Sequence, residues 1–239
     1  MKIALITGAN KGIGFETAKQ LAKLGYFVYI GSRNKAKGLE AIEKLKALEL
    51  NNVDCIEIDV TDINSIKSAR QELETKTQQL DILINNAGIA GVQPQNISTG
   101  EIENLRKVFE TNFFGAVQAT QQFISLLKKS NEPRIVNVSS NLASLSFHSI
   151  SQNPNQAIYD AYSCSKAALN AFTVLLTKEF RNTNFKINSV APGYTATDLN
   201  QFKGTQTVEQ AAETIIKYAT LDNDGPSGKY FNKEGEIAW

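Results

Sequence analysis

The sequence predicts a doubly wound α/β domain, a parallel sheet covered by helices on both faces, formed by residues 1–239 as one unit. Three observations carry this expectation. Short β-branched runs alternate with helical patterns along the whole chain, the rhythm of parallel strands joined by right-handed crossovers. The runs are almost continuously apolar, as burial on both faces requires. No Gly/Ser/Pro linker, repeat or low-complexity tract interrupts them, and 239 residues suit a single domain of this class.

Taken in order, KIALIT is the first strand, and GFETAKQLAKLG the first helix, with Gly25 standing where a helix C′ residue belongs. YFVYIG is the second strand. In the helix after it, Leu39, Ile42, Leu45 and Leu48 recur every third residue and are expected to form its apolar stripe. CIEIDV, LDILINN, RIVNVSS and FKINSVA supply four further strands with helical regions between them, and a last helix follows.

Charge narrows the partners. With 25 Lys and Arg against 24 Asp and Glu there is no basic field for nucleic acid and no acidic tail, so a small molecule is the expected ligand. No apolar run approaches the roughly 18 residues of a membrane helix, and the N-terminus leads into a strand instead of a signal peptide. A cytoplasmic protein is expected, without membrane attachment and with Cys55 and Cys164 reduced.

The segment TGANKGIG, residues 7–14, follows the first strand. Gly8 allows a sharp exit from the strand, Gly12 removes a Cβ where a phosphate approaches, and Gly14 permits close helix packing. Asn10 and Lys11 fill the turn, and a helix opening near Ile13 turns its free N–H groups and positive dipole end toward a pyrophosphate. The glycine spacing is one step longer than the usual dinucleotide fingerprint, and an ordinary tight turn would read the same way. The second strand decides more. An NAD protein usually places an acid about 20 residues past the glycines. Here Ser32-Arg33-Asn34 stands at that point and no acid occurs between Tyr26 and Leu39. Arg33, with Lys11 from the first turn, suits a 2′-phosphate, so NADP(H) is the expected cofactor.

TGANKGIG, NNAG at 85–88, Asn112 in TNFFG, Ser140 in IVNVSS, Tyr162 and Lys166 in YSCSK, and PGYTATD at 192–198 together resemble the short-chain dehydrogenase/reductases, in that family's order and over nearly the whole chain. The lysine in the glycine turn, SRN after strand two, and the tail GPSGKYFNKEGEIAW are most similar to NADPH-dependent carbonyl reductases. The resemblance implies a Rossmann-type domain with a seven-stranded parallel sheet of order 3-2-1-4-5-6-7. It also implies reduction of a ketone or aldehyde; an alcohol dehydrogenase running in the oxidising direction and a non-catalytic NADP-sensing protein are the alternatives.

On the family's pattern Tyr162 is the general acid, Ser140 hydrogen-bonds the developing oxyanion, Lys166 also holds the nicotinamide ribose, and Asn112 holds a water in a proton relay. Adjacent Ser139 competes with Ser140, which is preferred by family register; strand alternation turns its neighbour to the other face. Tyr162 and Lys166, four apart on a helix, share a face. Bringing a phenol from a pKa near 10 to near 7 takes about 4 kcal/mol, which one ammonium at about 4 Å supplies at an effective dielectric near 20. Asp59 is expected at the adenine amino group with Val60 beside it, Asn86, Ala87 and Gly88 along the adenine ribose, and Pro192, Gly193, Thr195 and Thr197 around the nicotinamide.

Residues 141–161 lack the large insertion of monomeric animal and plant carbonyl reductases. Together with the small residues Ala161, Ser163, Ser165, Ala167, Ala168 and Ala171 of the Tyr162 helix, this predicts a homodimer or homotetramer. Leu142, Phe147 and Tyr194 suggest an apolar pocket for a small apolar carbonyl substrate, with Phe147, Ile150 and residues 198–204 as a cover. His148, the one histidine, is expected to be a solvated loop residue with no metal to hold.

Overall fold

Seven parallel strands, β1 (Ile3–Ile6), β2 (Phe27–Ser32), β3 (Val53–Glu57), β4 (Ile82–Asn85), β5 (Arg134–Val138), β6 (Lys186–Val190) and β7 (Tyr230–Phe231), pair in the order β3-β2-β1-β4-β5-β6-β7. The computed structural model describes residues 1–150 and 158–239. Among the described residues eight α-helices join the strands: α1 (Gly12–Lys23), α2 (Lys35–Lys46), α3 (Ile63–Lys76), α4 (Ile102–Phe109), α5 (Gly115–Leu127), α6 (Leu145–Ile150), α7 (Asp160–Glu179) and α8 (Val208–Ala219).

The two-sided burial of the strands is literal. Ala4 and Ile6 of β1, Ile82 and Ile84 of β4, and Val136 and Val138 of β5 pack with α1, α2 and α8 on one face. Their alternates Leu5, Leu83 and Ile135 pack with α3, α5 and α7 on the other. Gly25 ends α1 at φ 85°, with its N–H on the Ala22 carbonyl and that of Tyr26 on Leu21, the two bonds of a Schellman cap.

The predicted stripe of α2 is corrected. Its buried residues are Gly38, Ala41, Ile42 and Leu45, while Leu39 and Leu48 are exposed. The helix lies so close to β3 that a Cβ at Gly38 would run into the Cys55 sulfur, so a glycine marks the buried face where leucine was expected. Both cysteines are free.

Strand order reverses between β1 and β4, which opens a crevice beyond their carboxyl ends, the place where such sheets bind ligands. The β1–α1 turn, the ends of β4, β5 and β6, and the start of α7 all come to that edge. Between α4 and α5 the chain widens into a π-helical turn, Glu110–Phe114, that carries Asn112. No helix of the described residues is long and apolar enough to cross a membrane.

Candidate active site

The glycine turn is a cradle. Gly8 and Gly12 adopt φ of 65° and 59°, a region that favours glycine. A Cβ on Gly12 would meet only the Thr197 methyl, at 3.7 Å, so the turn is open above it. Gly14 is enclosed: a Cβ there would lie 2.8 Å from the Gly8 carbonyl and 2.9 Å from the Ala9 Cα, and would run into the Asn86 amide. Asn86 braces the turn, donating through Nδ2 to the carbonyls of Thr7 (2.8 Å) and Gly8 (3.1 Å). Asn34, Asp62 and Thr207 cap α2, α3 and α8 with their side chains, but α1 has no side-chain cap and no acid in its first turn. Uncapped N–H groups under an open glycine turn fit a pyrophosphate.

Arg33 is exposed at the end of β2. Its neighbours are engaged in local structure, Asn34 as cap of α2 (Oδ1 to the Lys37 N–H, 3.0 Å) and Ser32, buried, donating to the Asn34 carbonyl (2.9 Å). Lys11 pairs with Asp198 beyond β6 (2.9 Å), with both side chains more than half exposed. Asp59 accepts from the Thr61 amide and hydroxyl on one oxygen, Oδ1. Val60 is buried and packs against Gly115, so only its backbone is available to a ligand. Thr195 is buried with its hydroxyl on the Gly193 carbonyl (3.1 Å), Thr197 caps the turn Asp198–Asn200, and the Pro192 carbonyl accepts from Gln206 (2.8 Å).

Four predicted residues converge on the crevice. The Ser140 side chain lies close to Tyr162 and its hydroxyl accepts from the Leu142 amide at 3.2 Å, while Ser139 points away to Asn170 Oδ1 at 2.8 Å. Lys166 is buried, donates to the Val138 carbonyl (2.7 Å), and lies 5.8 Å from the centre of the Tyr162 ring. Gly88 faces both of the others: a Cβ there would stand 3.3 Å from Asn112 Oδ1 and 3.5 Å from Lys166 Nζ. Asn112, buried, exchanges two hydrogen bonds with the Ile89 backbone (2.8 and 2.9 Å) and donates to Ser165 Oγ (3.0 Å). Its amide ties the end of β4 to α7, and the π turn is what aims it inward.

The expected fall in the Tyr162 pKa is not what this geometry produces. Burial raises it to about 12, against the nearby Ser140 hydroxyl, which pulls it down. Burial also lowers Lys166 to about 8. At neutral pH both groups therefore carry their protons, Lys166 as an ammonium and Tyr162 as a neutral phenol. Tyr162 is held as a protonated donor.

The crevice rim is apolar. Val92 after β4, Phe147 and Ile150 after β5, and Tyr194, Leu199 and Phe202 after β6 are all large exposed hydrophobic residues on segments leaving the carboxyl edge. His148 sits on α6, not in a loop, exposed, with Nε2 2.8 Å from the Leu142 carbonyl. Of the 141–161 segment, residues 151–157 lie outside the described residues. Sequence reasoning missed Gln95, which accepts from the Tyr162 amide (3.1 Å) and donates to the Ala90 carbonyl (2.7 Å). It also missed the bracing role of the Asn86 side chain. Neither has a periodicity that would reveal it.

The family model for the short chain dehydrogenases matches residues 2–207. The chain belongs to this family. It is 36% identical to a (+)-neomenthol dehydrogenase of Capsicum annuum, over 98% of this chain and 96% of that one. That alignment runs over 304 positions, so the Capsicum enzyme carries segments that this 239-residue short-chain dehydrogenase lacks. Among solved structures, salutaridine reductase from Papaver somniferum superposes with a TM-score of 0.86 at 31% identity, covering 98% of this chain and 100% of that one. An NADPH-bound carbonyl reductase from chicken fatty liver superposes at 0.83 and 30%, covering both chains fully. The chain is thus a carbonyl-reductase-type oxidoreductase acting on carbonyl or CH–OH groups, with NADP-bound structural relatives.

Proposed function

We propose that this short-chain dehydrogenase uses NADPH to reduce a small apolar ketone or aldehyde. The observation that carries the reading is the junction of the Ser140 hydroxyl with a protonated Tyr162, beside buried Lys166, at the mouth of an uncapped glycine turn. Arg33 and Lys11 would take the 2′-phosphate. The Lys11–Asp198 pair is exposed and worth no more than about 1 kcal/mol, so a phosphate dianion displaces the carboxylate readily. Gly12 and the first N–H groups of α1 would hold the pyrophosphate, Asp59 the adenine, and Lys166 with the backbone at Gly88 the nicotinamide ribose.

When bound, NADPH supplies the hydride. The protein's part is to hold the carbonyl oxygen between the Ser140 and Tyr162 hydroxyls and to give it the Tyr162 proton as negative charge develops there. An alkoxide is a much stronger base than a phenolate, so a phenol with a raised pKa still transfers its proton. Asn112 would hold a water of the relay that replaces that proton. The exposed apolar rim favours a hydrophobic substrate over a sugar phosphate. For self-association, Ala161, Ser163 and Ser165 are buried within the subunit, which leaves the exposed Ala171, Val174 and Leu175 of α7 as the contact face; sedimentation tests this.

A panel of apolar ketones and aldehydes, followed by NADPH absorbance, tests the activity. Tyr162→Phe should lower kcat by about 10²–10⁴-fold with NADPH binding retained. No turnover on any member, in either direction, with normal NADPH binding would overturn the reading in favour of an NADP-binding protein without catalysis.

A further inference from the structure

Tyr230 of β7 is wholly buried, yet nothing about the core asks for its hydroxyl: Phe231 beside it has none. That hydroxyl donates to the backbone carbonyl of Ser140. The same carbonyl accepts the Ala143 amide at 2.8 Å, so two donors fix the Ser140 peptide. Ser140 is extended there, at φ −158° and ψ 147°, and its side chain leaves this fixed peptide toward Tyr162.

The surroundings of Tyr230 are built around this bond. Its ring stacks on Trp239, 5.5 Å between centres at 18°. Ala143 and Ala191 pack against it, with Ile237 and Trp239 alongside. The Trp239 carbonyl accepts the Ser146 amide (2.9 Å), and the Ala238 carbonyl accepts the Ser144 hydroxyl (2.8 Å), so the 237–239 segment clamps the loop that begins at Ser140. On the other side stands Asn170, one turn beyond Lys166 on α7. Its Oδ1 accepts from Ser139, while its Nδ2 is buried without a partner at hydrogen-bonding geometry among the described residues, near the Tyr230 oxygen. Burial raises the Tyr230 pKa well above its ordinary value, so it remains a donor at every working pH.

We propose that Tyr230 is a positioning residue for catalysis: its hydroxyl sets the Ser140 peptide so that the Ser140 side chain meets Tyr162, and residues 230–239 thereby complete the active site from behind. This rests on the roles proposed above for Ser140 and Tyr162.

The test is Tyr230→Phe, which removes one oxygen and keeps the stacked ring. Loss of a neutral hydrogen bond of this kind should lower kcat by roughly three- to tenfold. KM for the ketone and Kd for NADPH should stay within about twofold, since neither ligand touches Tyr230. In the Ser140→Ala background the same substitution should cost little more, because the group it positions is already gone. A Tyr230→Phe enzyme that melts lower but keeps its kcat, or one whose loss multiplies fully with that of Ser140→Ala, would overturn the proposal. If Tyr230→Phe fails to fold, Trp239→Phe, which loosens the ring's seat and leaves the hydroxyl, should give the same non-additivity with Ser140→Ala. Should Ser140→Ala and Tyr162→Phe themselves turn over normally, it is the proposed chemistry that fails; if they are crippled and Tyr230→Phe is not, only the positioning role falls.

Discussion

Lys166 is a charge kept inside the protein with no carboxylate partner among the described residues, and that has a measurable consequence. Its surface is 3% exposed and its one acceptor is the Val138 carbonyl. Burial takes its pKa from 10.5 to about 8. At about 1.4 kcal/mol per pKa unit, holding the ammonium there costs the fold about 3 kcal/mol at neutral pH. The unfolded chain binds this proton more tightly, so the cost is fully present below the folded pKa and fades as pH rises toward 10.5. Between about pH 7.5 and about pH 10 the wild type should therefore gain about 2 kcal/mol from this one residue. Lys166→Met has no such proton in either state. Urea unfolding of both proteins at the two pH values isolates the contribution, because every other titrating group cancels in the difference. The wild type should improve relative to Lys166→Met by about 2 kcal/mol at the higher pH. A difference that does not move would mean that Lys166 titrates as an exposed lysine, and the buried site described here would be wrong.

Three further outcomes follow from the cradle. Gly14→Ala forces a Cβ against the Gly8 carbonyl and the Asn86 amide, so it should cost about 1–3 kcal/mol in thermal or urea unfolding and weaken NADPH binding in fluorescence titration. Arg33→Ala should weaken NADPH about ten- to a hundredfold and NADH no more than about threefold, since only the former offers a 2′-phosphate for the guanidinium; equal losses would remove the case for NADP. Asp198→Asn frees Lys11 and should tighten NADPH by up to about fivefold while leaving NADH unchanged, an effect that shrinks as salt is added.

The fold was legible because its evident signals are local and repeated. Apolar runs such as KIALIT and RIVNVSS cannot be satisfied except by burial on both faces, and Gly25 marks a helix end through its own backbone preference. The stripe of α2 was misread because a three-residue period through the leucines ignored Gly38, whose missing side chain is the contact with Cys55. β7 is two residues long, Tyr230–Phe231, too short for any pattern, and was reachable only through the family resemblance.

The site divides along the same line. Spacing four apart on a helix puts Tyr162 and Lys166 on one face, whereas Ser140 and Asn112 are reached through the family resemblance. What spacing leaves open is how deep each group lies, and depth sets its charge. An ammonium in water would lower the tyrosine pKa, but Lys166 is buried so completely that it is the weaker holder of its proton, at about 8 against about 12 for Tyr162. The pair is then better described by order of deprotonation than by attraction. Tyr162 stays protonated where Lys166 is charged, so for the proposed reduction a loss of activity on the alkaline side would belong to the lysine. A bound molecule that brings negative charge near Lys166 would raise its pKa and carry that limit upward.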